Sequence, residues 1–232
     1  MTKSSPPYDS AAVISALHAL ANPENVIGMA RYGINPQNTL GISIPALRSL
    51  AKQIGRDHEL AQELWDSGIH EARILAAYID NPHRVTPEQM ERWAGDFDSW
   101  DVCDQVCDNL FDRTPYAWTK ALEWSSREGE FVKRAGFTLM ACLAWHDKTA
   151  EDEQFERFLP IILREAGDER NYVKKAVNWA LRQIGKRNRA LNQKAIQTAE
   201  AMAQSASRAA RWNAADALRE LTNNKLQVRL VD

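Results

Sequence analysis

The sequence predicts an all-α protein. Apolar residues recur about every 3.6 positions along nearly the whole chain, which is the period of an amphipathic helix. Ala and Leu are abundant, β-branched runs are short, and no alternation of apolar and polar residues extends beyond a few positions, so strands are not expected. We therefore expect about twelve helices, since elements of this kind are usually a few turns long.

Breaks in this pattern separate the helices. They fall at residues 22–23, 32–43, 81–89, 95–99, 127–130, near 167 and at 185–190. Four helix starts carry a side chain that commonly caps a helix, placed before a proline or an acidic first turn: Asn22, Ser43, Thr86 and Ser99. The element order is thus one helix after another, joined by short loops.

Four of the predicted helices resemble one another. Each has a basic residue near the start of an Ala-rich segment that follows an amphipathic partner; these residues are Arg73, Arg134, Lys175 and Arg211. Their separations of 61, 41 and 36 residues indicate a degenerate repeat. Two-helix units of roughly 40 residues are typical of HEAT-like solenoids, in which neighbouring units bury each other's apolar faces. We therefore expect a superhelical solenoid of such pairs, with a concave basic groove lined by the second helices.

The length and composition limit the class of protein to which the chain can belong. With 232 residues, 44% of them hydrophobic, the chain can bury a continuous core. We expect a flexible N-terminus over residues 1–8, a single domain over residues 9–224 and a tail over residues 225–232. No run of about 18 apolar residues is present, and MTKSSPPYDS has no signal-peptide core, so we expect a cytoplasmic protein. Three cysteines do not indicate a disulfide framework.

The charge is unevenly distributed. Although the net charge is only −2, residues 168–232 hold 13 Lys/Arg against 6 Asp/Glu, a local excess of +7. The densest basic stretch runs from Lys174 to Arg189 and includes Trp179. Basic residues interleaved with an aromatic residue favour a phosphate-bearing partner. The alternative is a solvated helix end, which is also often rich in Lys and Arg.

The segment SWDVCDQVCDNLF, residues 99–111, combines a core stripe with a polar edge. The stripe consists of Cys103, Val106, Cys107, Leu110 and Phe111. Trp100 and Asp104 are four residues apart, so their side chains share one helix face beside it. A carboxylate next to an indole at an apolar border suggests a functional site. The alternative is a solvated acidic face formed by Asp101, Asp104, Asp108 and Asp112.

These residues, in this order, resemble the AlkD family of DNA alkylation-repair glycosylases, which are built from HEAT-like repeats. The resemblance extends roughly from Pro23 to Leu221. It rests on W-x-x-x-D at residues 100–104, V-K-R-A at residues 132–135, K-K-A-V-N-W-A-L-R at residues 174–182 and L-G-I-S-I-P-x-L-R at residues 40–48. Each motif is weakly specific alone, and the ordered set is more specific.

The resemblance implies a role for each matching residue. Asp104 would be the catalytic carboxylate, Trp100 and Trp179 its aromatic walls, and Arg134 a contact to the DNA backbone. Tyr32 and Ser43 would lie in the same groove, although Ser43 stands where characterised members of the family have Gln. The basic residues that would contact DNA are Lys174, Lys175, Arg182, Lys186 and Arg187. The implied partner is double-stranded DNA that contains alkylated bases. The protein is expected to act as a monomer, without a cofactor or metal, and to be associated with the nucleoid when it acts on DNA.

The implied chemistry suits these residue types. A purine alkylated at N3 or N7 is positively charged and therefore leaves without protonation by a general acid. A carboxylate would stabilise the oxocarbenium-like sugar and position a water molecule, and an indole face attracts cations. Hydrolysis without a covalent lysine adduct is expected, so no lyase activity at the abasic site is predicted.

Several residues have a purely structural alternative. Arg134 could be an internal arginine bonded to carbonyl groups of the neighbouring repeat, and Trp179 could belong to the core. Tyr32 could anchor a loop. The other tryptophans are expected to pack between helix layers: Trp65, Trp93, Trp118, Trp124, Trp145 and Trp212. At the level of the whole protein, the competing function is a non-catalytic HEAT-repeat module that binds DNA or protein.

A zinc site is a weaker alternative. Cys103 with Cys107, and Cys142 with His146, are pairs four residues apart that could supply four ligands. The first pair also fits the core stripe, and buried free cysteines are common. The sequence has no Walker loop and no nucleophile-elbow motif.

Overall fold

A computed structural model describes residues 8–230, and within that range it contains α-helices, one 3-10 helix and no strand. This confirms the all-α class. The described chain divides into two compact units, Met1–Thr114 and Pro115–Asp232. Residues 1–7, which are most of the N-terminus predicted to be flexible, lie outside the described residues, as do residues 231 and 232. No helix within residues 8–230 is long and apolar enough to cross a membrane.

Over its described residues, from residue 8 on, the first unit contains seven α-helices and the 3-10 helix. They are α1 (Ser10–Ala19), α2 (Pro23–Arg31), α3 (Ile44–Ile54), α4 (His58–Asp66), α5 (His70–Ile79), α6 (Pro87–Gly95), α7 (Trp100–Asn109) and the 3-10 helix Phe111–Arg113. Helix α5 packs against α3, α4 and α7. Trp65 and Trp93 stack in the core with ring centroids 4.0 Å apart, and both are essentially unexposed.

The second unit contains the remaining helices. They are α8 (Ala117–Trp124), α9 (Glu130–His146), α10 (Asp152–Glu156), α11 (Phe158–Glu165), α12 (Asn171–Ile184), α13 (Arg189–Ala203), α14 (Arg208–Leu221) and α15 (Asn224–Gln227). Helix α12 packs against both α9 and α14, while α8 covers α9 and α13 covers α14. Three of the four similar segments therefore form one stacked row with their partners outside, which confirms the HEAT-like pairing. Helix α15 begins one residue before the predicted tail.

Helix boundaries follow the predicted breaks closely. Asn22 caps α2 by accepting hydrogen bonds from the amides of Glu24 and Asn25, at 3.1 and 3.2 Å. Thr86 caps α6 through the amide of Gln89 at 3.2 Å. Ser43 and Ser99 stand at the cap positions of α3 and α7 but make no side-chain capping bond.

The expectation for the tryptophans is correct for the core and wrong for two surface positions. Trp124 is buried with Trp65 and Trp93, and Trp118 stacks on Phe158 with ring centroids 5.2 Å apart. Trp145 is 60% exposed and Trp212 is 42% exposed. A lysine ammonium lies over each of these rings: that of Lys148 is 5.3 Å from the centroid of Trp145, and that of Lys174 is 4.9 Å from the centroid of Trp212.

Candidate functional site

Trp100 is the first residue of α7, and its indole is held in place by the preceding loop. Its Nε1 donates a hydrogen bond of 3.0 Å to the carbonyl oxygen of Tyr32. The adjacent Ser99 is fully buried, and its hydroxyl accepts a 2.8 Å hydrogen bond from the amide of Asn35. These bonds tie the start of α7 to the Tyr32–Ser43 loop at two points. The half-buried Trp100 side chain is therefore positioned rather than mobile.

Asp104 lies one helical turn after Trp100 and is half-buried. The predicted core stripe of α7 is confirmed, because Cys103, Val106 and Cys107 have no exposed surface. At about 100° per residue, Asp104 is rotated by about 40° from Trp100 around the helix axis, towards the side of Asp101. The carboxylate therefore belongs to the same edge of α7 as the indole.

The acidic run on α7 is not the solvated face that the sequence left as an alternative. Asp101, Asp104 and Asp108 are each half-buried, and the side chain of Asp112 has no exposed surface. A carboxylate loses hydration when it is partly buried, and that loss must be offset by nearby donors or cations. This edge of α7 therefore holds carboxylates whose partial burial costs free energy of hydration, next to an apolar core. Such an arrangement is often found in functional sites.

A cavity of about 590 Å³ lies beside Trp100 in the first unit. Its wall combines α2, the Tyr32–Ser43 loop and the N-terminal parts of α3, α5 and α7. The residues that line it are Glu24, Asn25, Gly28, Met29, Tyr32, Ile34, Gly41, Ile42, Ser43, Ile44, His70, Glu71, Ile74, Trp100, Asp101 and Gln105. Three residues predicted for the groove, Tyr32, Ser43 and Trp100, thus share one cavity. Asp104 lies on α7 between the lining residues Asp101 and Gln105 but does not itself line the cavity.

The Tyr32–Ser43 loop is fixed by a buried carboxylate that the sequence analysis did not single out. Glu71 has no exposed surface, and it accepts hydrogen bonds from the amides of Leu40 (2.8 Å), Gly41 (2.6 Å) and Ile42 (3.2 Å). Gly41 has φ +78°, and a Cβ there would stand 2.2 Å from the carbonyl oxygen of Asn22. The position therefore requires glycine. The sequence shows a Glu in the first turn of an Ala-rich helix, but it does not show that this Glu is buried.

A second buried polar pair joins α5 to α7. His70 is 4% exposed, and its Nε2 lies 2.9 Å from Oδ2 of Asp101. Burial alone would lower the pKa of the imidazole. The hydrogen bond to Asp101, together with the charges of Asp101, Glu71 and Asp98, outweighs it, so the pKa is raised above 6.5. His70 is therefore more readily protonated in the folded chain than in the unfolded one.

This pair predicts a pH dependence of stability. Because the folded-state pKa of His70 is raised, its contribution is complete below pH 6.5 and is lost as the pH rises through the raised pKa. The free energy of unfolding, measured by urea titration across this range, should therefore contain a decrease that His70→Gln removes. His83→Gln, an exposed position, is the control and should leave the decrease in place. An unchanged pH profile in His70→Gln would contradict the assignment.

In the second unit, Arg134 occupies the position of an internal arginine. It is 6% exposed, and its guanidinium donates a 2.6 Å hydrogen bond to the carbonyl oxygen of Tyr172 on α12. This contact matches the structural alternative, in which the arginine bonds a carbonyl of the neighbouring repeat. A contact of Arg134 with the DNA backbone stays a prediction.

Much of the charge in the basic stretch is balanced within the unit. Arg182 and Lys186 both bond the carboxylate of Glu220 on α14, the lysine at 2.8 Å. Burial would raise the pKa of that carboxyl, but the two cations hold it below its usual range. Arg187 donates to the carbonyl oxygens of Ala144, Asp147 and Ala150 and lies 3.9 Å from the centroid of the Phe155 ring. These residues brace helices, and burial lowers the pKa of Arg187.

The remaining predicted contact residues differ in exposure. Lys175 is exposed on α12, and Trp179 is half-buried on the same helix. Lys174 rests on the ring of Trp212. These side chains are better placed than that of Arg187 to contact phosphate groups. Their alignment in one groove with Trp100 and Asp104 remains a prediction.

Cys103, Cys107 and Cys142 are all buried. Among residues 8–230, no group of three or more His, Cys, Asp or Glu side chains is arranged to hold a metal ion. The first two cysteines serve the core stripe of α7.

The fold and the half-buried carboxylate beside an indole define an all-α HEAT-like repeat protein with a candidate site on its first unit. The chain belongs to the DNA alkylation repair enzyme family, whose model matches residues 13–221.

The chain is also similar to one curated protein and to one solved structure. It is 27% identical over 127 residues to the uncharacterised protein Lin0241 of Listeria innocua, a match that covers 53% of this chain and 57% of that protein. The chain thus spans little more than half the length of that relative. A solved structure, described as a new family of proteins related to the HEAT-like repeat DNA glycosylases with affinity for branched DNA structures, is 23% identical. It aligns with a TM-score of 0.72 over 84% of this chain and 83% of that one. This likeness supports the HEAT-like fold.

Proposed function

We propose that the protein is a DNA glycosylase that hydrolyses the N-glycosidic bond of positively charged alkylpurines, such as 3-methyladenine and 7-methylguanine, in duplex DNA. One observation carries the proposal. Asp104 is half-buried one turn after Trp100 on the same edge of α7, and the indole is fixed by its hydrogen bond to Tyr32. Membership of a DNA alkylation repair family supports the same reading.

The proposed chemistry follows from the charge of the substrate. The alkylated base leaves as a neutral molecule, so the sugar acquires positive charge as the glycosidic bond lengthens. The Asp104 carboxylate opposes that charge and orients the attacking water molecule. Partial burial strengthens the interaction, because fewer water molecules screen it. The Trp100 ring supplies a rigid face that attracts the cationic nucleotide.

The reaction is proposed to be simple hydrolysis. None of the described residues that line the cavity beside Trp100 is a lysine. An attack of an amine on the sugar therefore has no local candidate there, and the abasic product should remain unbroken. Affinity for DNA is assigned to Lys174, Lys175 and Trp179, because cations that meet phosphate groups bind without sequence preference.

A non-catalytic role is the second candidate. The structural relative is described as having affinity for branched DNA structures, and three basic residues of the stretch brace helices instead of standing open. On this alternative the same chain would hold DNA without breaking a glycosidic bond.

The two candidates are separated by assaying methylated duplex DNA. We expect the protein to release free 7-methylguanine or 3-methyladenine, detected by chromatography, while the strands stay intact until alkali is added. Retention of the duplex without free base would contradict the glycosylase and support the binding module.

A further inference from the structure

The exposed face of α14, in the second unit, carries three arginines and a tryptophan and no acidic residue. Arg208, Arg211, Trp212, Ala215 and Arg219 are all exposed. Because they are three or four residues apart, they form one stripe along the helix. The stripe, called the α14 surface below, extends over roughly 16 Å of helix axis.

The acidic residues of α14 lie at its contact with α12. Asp216 accepts a 2.6 Å hydrogen bond from Nδ2 of Asn178, and the carboxylate of Glu220 is bonded by cations of α12. Both carboxylates are half-buried. Arg219 also pairs with Asp216, so the unbalanced positive charge of the α14 surface is concentrated near the start of the helix.

Three cations lie at that start. Within residues 8–230, the side chain of Arg208 forms no ion pair or hydrogen bond, and the ammonium of Lys174 contacts only the ring of Trp212. Arg211 donates to the carbonyl oxygens of Ser205 and Ala206, at 2.9 and 2.7 Å, which fixes the guanidinium but leaves its charge uncompensated. Glu169 accepts a 3.2 Å hydrogen bond from the amide of Ala209 and supplies a single negative charge nearby. Cations therefore remain in excess, and phosphate groups would balance them.

Trp212 distinguishes between two forms of nucleic acid. It is 42% exposed, and the Lys174 ammonium lies 4.9 Å from the centroid of its ring. Bases in a duplex stack on one another and present only their edges in the grooves, so an indole on a helix surface cannot stack on them. An unpaired base does present its face, and aromatic side chains within a basic surface are the usual platform for such bases.

We propose that the α14 surface binds a short single-stranded segment of nucleic acid. An unpaired base stacks on Trp212, and the adjoining phosphate groups are neutralised by Arg208, Arg211 and Lys174. The contacts carry no sequence preference, because every base has a face that can stack and every nucleotide has a phosphate. This binding is additional to the proposed reaction on duplex DNA, and it involves neither Trp100 nor Asp104.

The test uses undamaged probes, so that it does not depend on base release. Binding of a fluorescent oligothymidine of about 12 nucleotides, and of a duplex of the same length, is measured by anisotropy on the whole chain. Trp212→Ala should weaken binding of the single strand by about 10- to 100-fold, through the loss of the stacked base, and should change duplex binding by less than about twofold. Trp212→Phe keeps an aromatic ring and should restore single-strand binding to within a few fold.

The chain offers a matched control for each type of contact. Trp145 on α9 is 60% exposed and also has a lysine ammonium over its ring, but it lies outside the α14 surface, so Trp145→Ala should leave single-strand binding unchanged. Arg208→Gln should make the dependence of log affinity on log salt shallower by about 0.7 for the single strand. Arg164→Gln should not alter that slope, because Arg164 is exposed on α11 and pairs with Glu165.

The outcomes separate stacking from general attraction to phosphate groups. Equal losses of single-strand and duplex binding in Trp212→Ala, or a Trp212→Phe protein as weak as Trp212→Ala, would overturn the stacked base. Absence of single-strand binding would overturn the proposal as a whole and leave the α14 surface as a solvated helix face or a contact for an acidic protein. Base release from methylated duplex is assayed separately, so the glycosylase stands or fails independently of these results.

Discussion

Asp104→Asn is expected to slow the release of 7-methylguanine from duplex DNA by about 100- to 1,000-fold. The amide has nearly the shape of the carboxylate but no charge to oppose the developing sugar cation. Its NH₂ group would also orient the attacking water wrongly. Single-turnover assays with enzyme in excess measure this step directly, because they separate it from product release.

The control for this variant is Asp108→Asn. Asp108 lies one turn further along α7 and is half-buried like Asp104, but it has no proposed contact with the reacting sugar. Its rate should stay within a few fold of the unsubstituted protein. Binding of methylated duplex should be nearly unchanged in both variants. Full activity of Asp104→Asn would remove this residue from the mechanism.

Glu71→Gln is expected to destabilise the chain by about 2–4 kcal/mol. The fully buried carboxylate accepts three amides of the Tyr32–Ser43 loop. A glutamine would present an NH₂ group to amides that can only donate, and at least one buried donor would lose its partner. Urea unfolding measures the loss in the free energy of unfolding.

The same variant should loosen Trp100, because the loop carries the Tyr32 carbonyl that holds the indole. Glu63→Gln on α4 is the matched control, since Glu63 is exposed, and it should change the free energy of unfolding by less than about 0.5 kcal/mol. A Glu71→Gln protein as stable as this control would contradict the role of Glu71 as the anchor of the loop.

The fold was predictable because its signals are local. A helical period, capping residues such as Asn22 and Thr86, and a recurring basic residue before an Ala-rich segment are visible in the sequence alone. They predicted the stacked row of α9, α12 and α14. The core stripe of α7 was equally visible, since Cys103 and Cys107 follow from spacing.

The site was predictable only in part, because burial and pairing depend on residues far apart in the chain. Glu71 meets amides 29 to 31 residues away, and Asp101 meets His70 across 31 residues. Nothing local distinguishes these acids from solvated ones. Conversely, Arg187 belongs to a basic run and was predicted to contact DNA, yet its guanidinium donates hydrogen bonds to three carbonyl groups.

The most direct test of the central claim compares two lesions in otherwise identical duplexes, one with 7-methylguanine and one with uracil. If a fixed carboxylate acts on a sugar whose base already carries a positive charge, single-turnover assays should show release of 7-methylguanine and none of uracil. Release of both bases at similar rates, or of uracil alone, would contradict this account of the site.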